Sequence, residues 1–342
     1  LYDKKVGQSH SAYRVLDFLD IQRHDIPEVA EVYDRYTKVQ SLLNMQVWHI
    51  GSGNDPEQYV EDGLEINRLL LEIHELGNSG IHEHLITPIE DILKEDALLR
   101  YIRDNDLPLD SDSFVTNESV MNALSMMSGL LFLVILLLSG NEILVYERRY
   151  PSILKGLPIP FMKKVTIKVL LHSLLIIGLL LGGFLLGYYY LSNRIESSST
   201  SVPILMYQDG AFTAISTNQY LIYLFIGFGI VTLLILLLSV LLNMLFRNAA
   251  LNVLIGLGIF ILPDLVRQMG FQAKFLHPIK FIDMNKVLNG ELAFQLDNMA
   301  IGYWNVIITL SIGCLILFLV IYLINKYTYH RTPKQVPLEK PF

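Results

Sequence analysis

The chain has 342 residues, 52% of them hydrophobic, with a formal charge of −7 and one cysteine, Cys314. A lone cysteine excludes an intrachain disulfide. The charge is unevenly spread: residues 1–118 carry 24 acidic against 10 basic side chains, a net of −14, whereas residues 119–342 carry 9 against 16, a net of +7. The two parts therefore face different surroundings.

Residues 1–118 read as a small acidic helical domain, large enough to bury a core without disulfide staples. In Pro27–Asn44, Val29, Val32, Tyr36, Val39 and Leu43 recur at three- and four-residue steps. Gln58–Leu76 repeats the pattern with Ile66, Leu70, Ile73 and Leu76, and Gly77 supplies a stop. Leu85–Ile102 is a third predicted helix, with Pro88 near its start. No strand alternation of useful length is visible in this part. His74, His82 and His84, with Glu83, are metal-ligand residue types at close spacing. No HExxH accompanies them, and solvated or packed histidines are the expected outcome. Asp110–Glu118 is a polar approach to a membrane, where Thr116 or Asn117 can cap the first span.

From there the chain alternates long uncharged apolar runs with short polar connectors. Met121–Ser139 holds 19 residues without a charge, Val169–Asn193 holds 25, Tyr220–Phe246 holds 27 and Met299–Asn325 holds 27. Crossing a hydrocarbon layer of roughly 30 Å takes about 20 helical residues. Lipid offers the backbone no hydrogen-bond partner, so such runs are helices. A shorter run, Asn248–Pro263, holds 16 residues and is interrupted by Pro263 and Asp264. The expected fold is all-α: a polytopic helical membrane domain over 119–330, with spans near 119–140, 165–192, 219–246, 248–268 and 300–325. Residues 264–299 form an outer segment, either re-entrant or a folded loop, and 326–342 form a tail.

Basic residues in short loops set the orientation. Arg148, Arg149, Lys155, Lys163 and Lys164 lie in the loop 141–164, Arg247 in the next connector, and Lys326, Arg331, Lys334 and Lys340 in the tail. These alternate segments are predicted to be cytoplasmic, which places residues 1–118 outside. The chain begins at Leu1 with no apolar leader. An upstream membrane helix is expected, giving six spans with both termini inside.

The chain carries no GxxxxGK[ST] nucleotide loop. No span has an Asp, Glu, Lys or Arg near its centre, which argues against a proton-coupled carrier. His172 and Asn243 are the main polar residues within the spans. Between two spans, Asn141–Lys164 combines an amphipathic piece with Pro151, Gly156, Pro158 and Pro160, which predict a brief helix along the membrane and a rigid turn.

That segment resembles the coupling loop of permease subunits of type-2 ATP-binding-cassette exporters, through Glu147, Arg148, Arg149, Leu154, Leu157, Pro158, Lys163 and Lys164. In the outer segment His277-Pro278 and Val287-Leu288-Asn289-Gly290 resemble the same family's region before its last span. The resemblance covers 119–330, and residues 1–118 fit a domain inserted between first and second spans. It implies a transport subunit rather than an enzyme, placed in a bacterial plasma membrane. Glu147, Arg148, Arg149, Leu154, Leu157 and Pro158 are the residues that would meet a separate ATPase, which would hold ATP and Mg. Pro278, Leu288, Asn289 and Gly290 would form the re-entrant region.

The implied partners are that ATPase, a second permease (identical or homologous) and membrane lipid, with no nucleic acid. The acidic outer domain and the charge-free spans suit an amphipathic or cationic peptide, or a lipid-like cargo, moved outward. A membrane receptor with an extracellular ligand-binding domain is the alternative. A membrane enzyme is a third class, for which the spans offer no carboxylate pair, metal motif or nucleophile.

Overall fold

In a computed structural model of the protein, residues 2–22, 26–52, 55–107, 125, 128–144, 159–192, 203–208, 210–246, 248–271 and 273–331 are described. They fall into two units, Leu1–Val120 with Ser192–Leu221, and Met121–Leu191 with Ile222–Phe342.

The first unit is built on helices α1 (Tyr2–Gln22), α2 (Pro27–Ser52), α3 (Pro56–Glu75) and α4 (Ile89–Asp104). Apolar residues at helical spacing turn inward. Ala12, Val15 and Leu19 of α1 meet Val29, Val32, Tyr36, Val39 and Leu43 of α2 and Ile66, Leu69 and Ile73 of α3. A second cluster joins Tyr59 and Val60 to Leu99 and Ile102 of α4. Local signals fix the helix ends. Asp55 accepts from the Gln58 amide (3.0 Å) with Pro56 at the first helical position, and Gly77, at φ +75°, follows the last turn of α3. Pro88 caps α4, so the predicted 85–102 helix begins four residues later than its periodicity indicates.

The same unit holds a hairpin in the 194–219 connector. Strands β1 (Pro203–Gln208) and β2 (Ala211–Ser216) pair antiparallel from Pro203↔Ser216 to Gln208↔Ala211, with Gly210 at φ +85° in the turn. The hairpin lies against α4, where the Lys94 ammonium stands 5.1 Å from the Phe212 ring centre. This element was not anticipated.

The second unit is helical and apolar. Its helices are α5 (Leu130–Glu142), α6 (Phe161–Ser192), α7 (Thr217–Phe246), α8 (Ala249–Gln268), the short α9 (Met284–Leu288) and α10 (Glu291–Gln295), and α11 (Tyr303–Arg331). Four stretches are long and apolar enough to cross a bilayer: Phe161–Gly187, Thr217–Phe246, Ala249–Gln268 and Tyr303–Tyr327. The 13 residues of α5 cover the second half of the predicted 119–140 span. Most of the rest of that span lies outside the described residues.

Helix α7 is central. In its most apolar stretch 56% of residues are buried, against 17% or less in α6, α8 and α11. Its neighbours cross it along their lengths: Phe132 of α5 packs on Phe228, Phe184 of α6 on Phe225, and Cys314 of α11 lies beside Ile230. Close approach depends on glycine. A β-carbon at Gly140 would sit 2.6 Å from the Ser239 side chain, and one at Gly256 would sit 2.7 Å from Leu137. Pro263 does not interrupt α8, which continues to Gln268.

Candidate functional site

The described start of the 141–164 loop, at the end of α5, meets the ends of two other helices. Asn141 stands in the last turn of α5, Asn243 in the last turn of α7 and Asn252 in the first turn of α8. All three are buried, at 6%, 1% and 1% exposure. The Asn252 amide donates to Asn243 Oδ1 (2.7 Å) and reaches Asn141 Oδ1 (3.3 Å). The Asn243 amide also donates to Asn141 Oδ1 (3.3 Å), and the Asn141 amide donates to the Ala249 carbonyl (3.2 Å). Lys168 of α6 donates to the Ile143 carbonyl at the end of α5 (2.9 Å), where a cation suits the exposed carbonyls and the helix dipole. Asn248 caps α8 by accepting from the Ala250 and Leu251 amides.

A polar knot thus ties the α5 end, the α6 start and the α7–α8 turn into one face of the unit. Among apolar helices, unmet amides are costly, so such bonds fix helix position. Sequence reasoning singled out Asn243 but not its partners. The available signal was that Asn141 and Asn252, like Asn243, stand at ends of apolar runs. His172, also singled out, bonds through Nδ1 to the Lys168 carbonyl one turn earlier (3.0 Å). That bond is local to α6.

Of the predicted loop residues, Glu147, Arg148, Arg149, Leu154, Leu157 and Pro158 lie outside the described residues. The outer segment is described. Pro278 lies within a 3-10 helix, Lys274–Ile282, and Leu288 ends α9 fully buried. Asn289 Oδ1 accepts from the Glu291 amide (2.9 Å), and Gly290 turns the chain into α10 at φ +79°. Met284, Val287, Leu288 and Ala293 are wholly buried. The segment is anchored by Ser128, whose hydroxyl donates to Asp283 Oδ1 (2.7 Å), and by the ion pair of Lys280 with Asp264. Residues 274–295 are therefore short helical turns packed against α8 and α11 and tied to Ser128 just before α5. Leu288, Asn289 and Gly290 are brought together as one turn.

The histidines are separate in role. His74 Nε2 lies 2.7 Å from the Thr87 carbonyl and Nδ1 lies 3.0 Å from the Asn78 amide. These two contacts join α3 to the 87–88 segment. His82 and His84 are exposed and stack at 5.2 Å. Among the described residues no three His, Cys, Asp or Glu side chains are grouped to hold a metal ion.

Fold and hydropathy together define an all-α polytopic membrane protein with a helical domain on one flank of its sequence. Compared with models of known families, with curated proteins and with solved structures, the chain matches none.

Proposed function

We propose that the protein is the permease subunit of a type-2 ATP-binding-cassette exporter in a bacterial plasma membrane. It moves an amphipathic or cationic peptide, or a lipid-like molecule, outward through a path shared with a second permease. A separate ATPase supplies the energy by gripping the 141–164 loop, and this chain performs no catalysis. Residues 1–118 stand outside and the C-terminus inside, as the basic loops favour.

The observation that carries this reading is the asparagine knot with Lys168. A lever needs a stiff attachment at the base of its handle. The loop leaves the membrane from α5 and returns into α6. Its base is hydrogen-bonded to α7 and α8, and α7 is the most buried of the four candidate spans. A displacement applied between Asn141 and Lys164 is passed to those helices at once. Leu154, Leu157 and Pro158 are the residues proposed to meet the ATPase, and Glu147, Arg148 and Arg149 supply charge for it to hold.

The test is co-purification from the native membrane, with cross-linking from single cysteines placed at 147–149. A nucleotide-hydrolysing subunit is expected to accompany the wild-type chain. The triple variant Glu147→Arg, Arg148→Glu, Arg149→Glu is expected to lose it at unchanged membrane abundance. If the partner is absent from the wild-type preparation, or is retained by the triple variant, the proposed docking is wrong. The receptor alternative is favoured by the ligand-sized cleft in the first unit and predicts cross-links to a partner with no nucleotide site.

A further inference from the structure

The first unit contains a cleft of about 820 Å³ that opens to solvent between α1, α2, α3 and α4, with Leu205 of β1 at its side. Clefts of roughly 300–1,000 Å³ take drug-sized ligands. Its floor is apolar, formed by Ala12, Val39, Leu43 and Ile66, while Lys4, Ser11, His84 and Asp91 stand exposed on its rim. Two features are unusual for a simple packing gap. Lys5, only 3% exposed, forms an ion pair with Glu95 (2.5 Å) in the wall. Asn67, also 3% exposed, lines the floor, and its amide nitrogen has no hydrogen-bond partner among the described residues. Gln8 of α1 also lines the cleft, and its Oε1 is likewise buried and without a partner among them.

We infer that this cleft binds a short peptide segment, whose backbone pairs with Asn67 and Gln8 while its apolar side chains cover the floor. A buried polar group left unmet costs about 1–3 kcal/mol, so an unmet donor and an unmet acceptor on residues that line one cleft mark where a ligand is missing. A peptide unit offers one carbonyl and one N–H, the complement of that pair. An acyl chain offers neither. The end torsions of Asn and Gln are soft, so a small rotation turns either amide toward the ligand. Charge narrows the class further. Lys5 neutralises Glu95 at depth, which suits an uncharged backbone there. At the rim Lys4 stands with Asp91 and selects neither sign, so it is only the wider net −14 of residues 1–118 that favours cationic side chains on the part of the peptide outside the cleft.

The inference deepens the exporter reading by giving a peptide cargo its first contact, and it is tested by binding alone, without the ATPase. The full chain in lipid nanodiscs is exposed to an acetylated and amidated leucine–lysine hexapeptide bearing one photoreactive leucine, and adducts are mapped by mass spectrometry. Saturable adducts on α1 and α3 are expected. Asn67→Leu should weaken the half-saturating concentration roughly three- to tenfold, the worth of one hydrogen bond, while leaving the unfolding temperature equal or higher because it removes an unmet amide. Ser11→Trp, at the exposed rim, should abolish the adducts. Adducts confined to the spans, or unchanged binding in both variants, overturn the site. So does equal competition by the peptide N-methylated at its central amides or by dodecyltrimethylammonium, which has no amide. Adducts that meet expectation in a chain found to have no ATPase partner keep the cleft and remove the exporter.

Discussion

Tyr36 shows how a single residue reports the state of the first unit. It is buried in α2 at the wall of the cleft, and burial pushes its hydroxyl from the ordinary value of 10 up to about 12. Burial also raises Tyr59, with Glu95 adding to it. A folded-state value above the unfolded one contributes stability that is whole below pH 10 and is lost as pH rises through 12. For Tyr36 the contribution is roughly 2–3 kcal/mol. Tyr36→Phe is therefore expected to blunt the alkaline fall in unfolding temperature between pH 10 and 12, leaving the part due to Tyr59. An identical alkaline profile in the variant would contradict the burial argument. Much of this scale was legible in the sequence, since Val29, Val32, Tyr36, Val39 and Leu43 are all buried at the spacing that predicts them. In the run Leu69-Leu70-Leu71 periodicity cannot choose among adjacent leucines. The packing of α1 and α2 against α3 places Leu69 in the core and Leu70 at its edge.

At the scale of elements, the departures have identifiable causes. Asp209-Gly210 is a two-residue hairpin signal, and Gly210 takes the positive φ that such a turn requires. That signal stands between two long apolar runs, which dominate this part of the sequence. The uncharged run ends at Pro263, yet the span expected over 248–268 matches α8. A membrane helix tolerates proline where neighbouring groups meet the freed carbonyl, and α8 runs on to Gln268. Helix order and alternation were legible from run length, whereas the asparagine knot was not, because it joins residues more than a hundred positions apart. Its bonds make a coupled unit, so Asn243→Leu and Asn252→Leu are each expected to destabilise the chain by about 0.6–1.7 kcal/mol in a detergent unfolding titration. The double variant should cost clearly less than the sum. Strict additivity would mean that the three amides do not act together.

At the scale of the whole molecule, the account rests on sidedness. The proposal predicts that the acidic residues 1–118 and the basic loops stand on opposite sides of the membrane, with the loops cytoplasmic. The described helices agree with that alternation. Tyr303 of α11 bonds to the Tyr223 carbonyl at the far end of α7 from Asn243, so α7 and α11 run in the same direction, and α8 returns between them. The proposed lever works only if its handle lies on the side where ATP is.

The most direct measurement is cysteine labelling of the native protein in its own membrane, in a Cys314→Ser background, with single cysteines at Ser11→Cys and Ser152→Cys. A membrane-impermeant maleimide should modify position 11 in intact cells and position 152 only after permeabilisation. Modification of position 152 in intact cells would place the loop outside, beyond the reach of any ATPase.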